Sequence, residues 1–230
     1  MSRSWSQFFT SEGLTPLHAV IRAKEDTLVV GLPIIPEVID ALGGGATFTL
    51  DVEEAARVPA MTTVARLHGP AVLLLRAERV ILNFITHLSG IANLTARYVQ
   101  ELEGTGVRLL DTRKTTPGLR WPEKYAVQAG GGCNHRKNLV EMLMLKDNHI
   151  DAAGSIGAAV RQLRERYSPC PPIEVECRTL DHVRAALDAG ADRIMMDNMD
   201  SPLLSQALAL VPPHVETEVS GGVRLETIRA

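Results

Sequence analysis

Five short runs beyond residue 106 end in residues that can do chemistry. Residues 107–111 lead into Asp111-Thr112-Arg113-Lys114-Thr115, and 142–146 into Lys146-Asp147-Asn148-His149. The run 173–177 carries Glu174-Val175-Glu176, 193–197 ends at Asp197-Asn198, and 215–220 runs into Ser220-Gly221-Gly222. Between residues 108 and 146 there are eight Lys/Arg (108, 113, 114, 120, 124, 136, 137, 146) against three acids (111, 123, 141). That is a surplus of five positive charges in a chain of net charge −3, which leaves −8 for the rest. Clustered cations of this kind predict a small anionic substrate, and arginines suit two-pronged binding of carboxylate or phosphate.

Glu176 and Asp197 are the natural counterweight. In a cationic surround they could hold Mg2+, bind ribose hydroxyls, or stabilise positive charge developing on a sugar. Strand periodicity puts Glu174 and Glu176 on one face, with Glu176 nearer the strand end. A Gly-Gly turn before a helix, as at Ser220-Gly221-Gly222, offers backbone N–H groups to a phosphate. Arg79 is read in the first turn of a long helix, where the dipole disfavours a cation and an anionic ligand would offset the cost.

Other polar residues have simpler readings. Asp111 is expected to be a structural strand-end residue. Lys124, Lys137 and Arg120 are expected at the surface or one layer behind the site. His87, His149 and Glu174 are expected to be structural, Cys133 a small buried filler, and Met142, Met144, Met195 and Met196 core.

Two kinds of element must hold these residues. The first third reads as strands at 17–23, 27–35, 46–52 and 63–75, interrupted by a short helix at 36–42 with proline at its first position. A long helix follows over 78–103. Its broad apolar face (Leu82, Ile85, Leu88, Ala92, Ala96) predicts burial between layers, with a kink at Ser89-Gly90. Beyond Gly106, short apolar strands alternate with helices at 121–129, 155–166, 180–189, 203–210 and from 225, the pattern of a parallel sheet. The expected fold is α/β: residues 1–104 form an N-terminal α/β sandwich with its connecting helix, and 105–230 a C-terminal β/α barrel, incomplete and TIM-like. Active sites in such barrels lie at the C-terminal strand ends, where the polar runs fall. Five strands do not close the usual eight-stranded form, so the barrel is expected to be truncated at its C-terminal end.

Composition narrows the classes. At 45% apolar and 22% charged the chain is ordinary for a globular protein. Its charge suggests neither nucleic acid nor an anionic membrane, and its 4% aromatic content argues against stacking platforms for single strands. Residues 1–6 lack a secretory h-region, and no apolar run is long enough to span a bilayer. Cys133, Cys170 and Cys177 fit no metal or disulfide spacing and are read as reduced thiols of a cytoplasmic protein. There is no G-x-x-x-x-G-K-[ST] or G-x-G-x-x-G phosphate loop.

Taken together, the motifs resemble the quinolinate phosphoribosyltransferase family. The matching segments are Ala77-Glu78-Arg79, Leu82-Asn83-Phe84 and Leu88-Ser89-Gly90; 111–120; Lys124-Tyr125-Ala126-Val127; 130–136; 146–150; Glu174-Val175-Glu176; Asp197-Asn198; and Ser220-Gly221-Gly222. They run in family order from about residue 18 to the end. The resemblance implies that phosphoribosyl pyrophosphate (PRPP) is condensed with quinolinate, with decarboxylation. The products would be nicotinate mononucleotide, pyrophosphate and CO2 on the route to NAD, with Mg2+ assisting.

It implies that Arg79, Arg113, His135, Arg136 and Lys146, with Thr112 beside them, bind the quinolinate carboxylates. Arg79 would reach in from a neighbouring subunit of a homodimer or larger homo-oligomer. Lys114 and Lys146 would face PRPP. Glu176 and Asp197 would lie near the ribose and the metal, the metal held directly or through PRPP. Ser220, Gly221 and Gly222 would supply backbone to the 5′-phosphate. Lys114, Lys146, Glu176 and Asp197 are thus the catalytic candidates.

The chain departs from the family pattern at both ends. The family's further helical sequence before His18 and its last βα unit with a Gly-rich stretch are expected to be missing, and residues 1–17 are expected to match nothing in the family. Two other readings follow: a non-catalytic or truncated paralogue that binds anions, and a related pyrophosphorylase linked to molybdate transport. Arg136→Ala is expected to abolish turnover and leave the fold intact.

Overall fold

A computed structural model of the chain describes residues 16–229; most of the segment 1–17, expected to match nothing in the family, lies outside the described residues. The chain separates into two compact units, Met1–His135 and Arg136–Ala230, and the sequence boundary at 104/105 falls inside the first.

In the first unit, β1 (Pro16–Arg22), β3 (Thr47–Leu50) and β5 (Thr63–Pro70) form an antiparallel sheet of order β1-β5-β3. β2 (Thr27–Val29) pairs with β4 (Ala56–Val58). α1 (Ile34–Ala41) and α2 (Ala71–Glu101) complete the sandwich, and α3 (Arg120–Ala129) follows. α2 buries Leu74, Ala77, Ile81, Ile85, Leu88, Ala92 and Thr95 at steps of three and four, so one stripe faces the core. Ile81, Ile85 and Leu74 pack with Leu32, Ile35, Val64 and Ala65.

The second unit is a four-stranded parallel sheet of order β6-β7-β8-β9: β6 (Leu143–Leu145), β7 (Ile173–Cys177), β8 (Arg193–Asp197) and β9 (Glu216–Ser220). α4 (Asp147–Ala153) leads into α5 (Ile156–Arg166), with α6 (Leu180–Asp188) and α7 (Ser201–Leu210) as crossovers. Ile173, Val175, Cys177, Ile194 and Met196 pack with Val160, Val183 and Ala186 of the helices. The result is a mixed α/β fold with a barrel-like parallel C-terminal part. Oxygens of Ser155, Thr179 and Asp200 accept N–H groups of Ala158, His182 and Leu203, which fixes where α5, α6 and α7 begin.

Several expectations are corrected. The strand predicted at 27–35 ends at Val29, and α1 begins at Ile34 rather than 36. The Glu54 carboxylate accepts from Gly31 N (2.7 Å) and Leu32 N (2.8 Å), drawing the chain out of the sheet at Gly31, whose φ is 105°. The strand at 63–75 stops at Pro70, and Ala71 already lies in α2. Arg79 is therefore in the third turn, where a helix dipole acts little, and the sequence argument for an anion beside it falls away. α2 runs unbroken through Ser89-Gly90. Ser89 Oγ, buried, instead accepts from Val30 N at 2.9 Å. Residues 107–111 form no strand; Leu110 makes a single parallel bridge to Cys133. The helix expected from Leu225 is a turn, and α4 had no counterpart in the sequence reading.

Candidate functional site

The first unit carries Arg79, Thr112, Arg113, Lys114 and His135. Arg79 is exposed on α2. The Thr112 hydroxyl accepts from Lys114 N at 3.0 Å, a local turn that fixes the backbone between Arg113 and an exposed Lys114. Arg113 Nε is buried without a hydrogen-bond partner among the described residues, the condition of a donor awaiting an acceptor.

His135 is buried, and its backbone is held by Asp111. His135 N donates to Asp111 Oδ1 at 2.8 Å, and Lys124 Nζ donates to that same oxygen and to the His135 carbonyl at 3.3 Å. Oriented by its neighbours, the Asn134 amide donates to Asp111 Oδ2 at 2.7 Å. Asp111 is thus structural, as expected. Lys124 is not a surface charge: it is 1% exposed. α3 brings it there because Gly130 lets the end of that helix close on α2. A Cβ on Gly130 would collide with the Ala92 carbonyl and lie 2.7 Å from Thr95 Cβ.

Glu123 pairs with His87 at 2.9 Å. Burial pushes its carboxyl up, but hydrogen bonds from Thr116 and His87 outweigh burial and hold it below the usual value. Tyr125, 3.0 Å from Glu54, is pushed up to about 12 by burial and by that carboxylate.

The second unit carries Arg136, Lys146, Glu176, Asp197 and Ser220-Gly221-Gly222. Arg136 donates from Nη1 to the Met142 carbonyl at 3.0 Å, and its Nη2 lies 3.5 Å from Met144 Sδ. Lys146 follows β6 directly and caps α4, its N–H donating to His149 Nδ1 at 3.1 Å. That gives His149 the structural role expected of it. Lys146 Nζ lies 3.4 Å from Glu176 Oε2. Lys146, Glu176 and Asp197 therefore come together at the C-terminal ends of β6, β7 and β8.

Arg178, which the sequence reading missed, joins them. It contacts Glu176 (2.9 Å), Asp197 (3.2 Å) and Asp147 (3.1 Å). Hydrogen bonds to Asp197 and Glu176, then the charge of Asp147, push its pKa further up. Asp147 is held below the usual range, first by the Asn148 N–H and then by Arg178. The signal was present, since Arg178 shares the strand parity of Glu174 and Glu176. Cys177, of the opposite parity, is buried, and burial beside Glu176 pushes its thiol up to about 12. That makes it a core residue and no nucleophile.

At the end of β9 the chain turns sharply. Asn198 N donates to the Ser220 carbonyl at 2.8 Å, and Gly221 takes a φ of 87°. A Cβ there would strike the Asn198 side chain and lie 3.0 Å from Asn198 N. Gly221→Ala is therefore expected to cost about 1–3 kcal/mol through the left-handed backbone, read as a lowered thermal midpoint. An unchanged midpoint would mean the turn relaxes freely.

The family model "Quinolinate phosphoribosyl transferase, N-terminal domain" matches residues 7–89, which corrects the expectation that 1–17 match nothing in the family, and "Quinolinate phosphoribosyl transferase, C-terminal domain" matches 91–230. The chain is 43% identical over 213 residues to the probable nicotinate-nucleotide pyrophosphorylase (carboxylating) of Bacillus subtilis, covering 93% of this chain and 74% of that protein. Among solved structures, NadC from Streptococcus pyogenes superposes with a TM-score of 0.90 at 37% identity, over 100% of this chain and 81% of its own. The nicotinate-nucleotide pyrophosphorylase of Francisella tularensis gives 0.90 at 35%, over 100% and 80%. Matched along both of its parts, the chain belongs to the quinolinate phosphoribosyltransferase family.

Proposed function

We propose that this chain transfers the phosphoribosyl group of PRPP to quinolinate with loss of CO2, giving nicotinate mononucleotide and pyrophosphate for NAD synthesis. The observation that carries the reading is the meeting of Lys146 with Glu176, and of Glu176 and Asp197 around one arginine, at adjoining parallel strand ends. As the bond from the sugar to pyrophosphate breaks, positive charge builds on the ribose, and Glu176 and Asp197 stabilise it. The quinolinate ring nitrogen forms the new bond to the sugar, and pyrophosphate leaves with the old electron pair. When CO2 departs, the electrons of its bond stay on the ring carbon beside the cationic nitrogen until a proton replaces it. Arg113, His135, Arg136 and Lys146 hold the two carboxylates; Lys114 and Lys146 face PRPP. Fixing two mutually repelling anions together is itself a large share of catalysis. Ser220, Gly221 and Gly222 bind the 5′-phosphate through backbone N–H groups.

Mg2+ is the proposed metal, and it neutralises pyrophosphate charge when bound. Glu176 and Asp197 are oxygen donors of the right kind, but paired as they are with Lys146 and Arg178 they do not fit as direct ligands. The metal is proposed to arrive on PRPP. The functional division is placed at 1–104 and 105–230. The protein is proposed to be a cytoplasmic homodimer or larger homo-oligomer in which Arg79 reaches the neighbouring site. Exposed Leu75 and Val80 beside Arg79 on α2 support such a contact. Among the described residues no helix is long and apolar enough to cross a membrane.

The test supplies quinolinate, PRPP and Mg2+ and measures nicotinate mononucleotide, CO2 and pyrophosphate, expected in equal amounts. Nicotinate, lacking one carboxylate, should be rejected by about 10⁴-fold, because it leaves site cations unpaired. Absence of product from quinolinate would sink the reading.

A further inference from the structure

Arg178 is arranged unlike an ordinary surface arginine. Its three guanidinium nitrogens each meet a different carboxylate: Nη1 meets Asp147, Nη2 meets Glu176 Oε1 and Nε meets Asp197. These acids come from three places in the parallel unit: the start of α4, the end of β7 and the end of β8. Lys146 takes the other Glu176 oxygen at 3.4 Å, so both oxygens of that carboxylate are engaged. The layering is also specific. The Arg178 side chain is 49% exposed, whereas those of Glu176 and Asp197 are 9% and 13% exposed. The cation therefore lies on the solvent side of the acids, between them and anything that enters.

A planar fork with donors on three sides matches three carboxylates in a way no lysine can. Mg2+ demands near-octahedral oxygen ligands at about 2.1 Å, and reaching Glu176 and Asp197 it would meet a fixed cation already bonded to both. Three carboxylates with two bases leave the group near −1. That is enough to attract a developing sugar cation and too little, with its oxygens shared, to hold a free dication.

We propose that Arg178 is the resident counter-cation of the Glu176–Asp197 pair: it positions the two acids and excludes free divalent metal from them. Arg178 is thus a positioning residue for the proposed transfer, and in that sense the inference rests on the reaction proposed above. Its consequence can be tested without substrate, so it stands or falls separately from turnover.

The experiment titrates Mn2+, standing in for Mg2+, into the free protein and follows unbound metal by electron paramagnetic resonance. The wild-type protein is expected to retain none at about millimolar metal, while Arg178→Ser gains one site per chain, bound at least about ten-fold more tightly, through the freed carboxylates. Adding Glu176→Gln to that variant should remove the gained site. Stoichiometric Mn2+ binding by the wild type, abolished by Glu176→Gln, would overturn the proposal. So would a folded Arg178→Ser protein that binds no Mn2+. Folding is checked by circular dichroism. If the serine variant does not fold, Arg178→Lys takes its place: it keeps the charge but loses the three-way fork, and should gain weaker binding. No gain in the lysine variant would likewise overturn the proposal.

Discussion

Replacing Lys124 with methionine is expected to cost the protein about 3–5 kcal/mol, the usual loss when one partner of a buried ion pair is removed. Lys124 is 1% exposed, and its ammonium is shared between Asp111 Oδ1 and the His135 carbonyl. Methionine fills much of the same volume but leaves the Asp111 carboxylate, 7% exposed in its side chain, with its charge uncompensated. The double variant Lys124→Met with Asp111→Asn removes both charges and should recover a large part of the loss, because the penalty comes from the unpaired ion more than from the missing attraction. Urea unfolding of the wild type, both single variants and the double variant measures this. A loss below about 1 kcal/mol for Lys124→Met would show that water reaches the pair and that the burial is not felt. The same substitution loosens the backbone of His135, which Asp111 holds through its N–H at 2.8 Å. A weakened acceptor affinity should therefore accompany the lost stability.

Arg136→Ala is expected to lower turnover by about 10²–10³-fold, the scale for deleting one fixed donor from a preorganised charged site. From the motif alone an unaltered fold is expected. The structure adds a small penalty, since Nη1 donates to the Met142 carbonyl at 3.0 Å across the 137–141 turn. One lost hydrogen bond is worth about 1 kcal/mol. Arg136→Lys keeps the charge but not the fork and should recover only part of the activity. Near-normal turnover by Arg136→Ala, measured as nicotinate mononucleotide formed, would remove Arg136 from the carboxylate pocket.

The parts of this protein legible in its sequence are those set by local rules. β8 falls where its apolar run Ile194-Met195-Met196 places it, and β7 where Ile173, Val175 and Cys177 alternate with Glu174 and Glu176 at the strand period. α5 starts where Ser155 caps it. The polar residues Lys146, Glu176 and Asp197 at strand ends were readable from the same pattern, because a parallel sheet puts all its C-terminal ends on one edge. The start of α2 was not: residues 71–75 are apolar throughout and carry no period to separate strand from helix. Nor was the fate of residues 107–111, which look like a strand yet make only one bridge.

Tertiary structure alone decided the ion pairs. Asp111 and Lys124 are 13 residues apart, and Arg178 and Asp197 are 19 apart. No sequence periodicity links such positions; the turn of a helix or the pairing of two strands brings them into contact. A lysine in an amphipathic helix reads the same whether it ends in water or on a buried carboxylate. What separates the two outcomes is the cost of desolvating a charge, and that cost is met only by a partner the fold supplies.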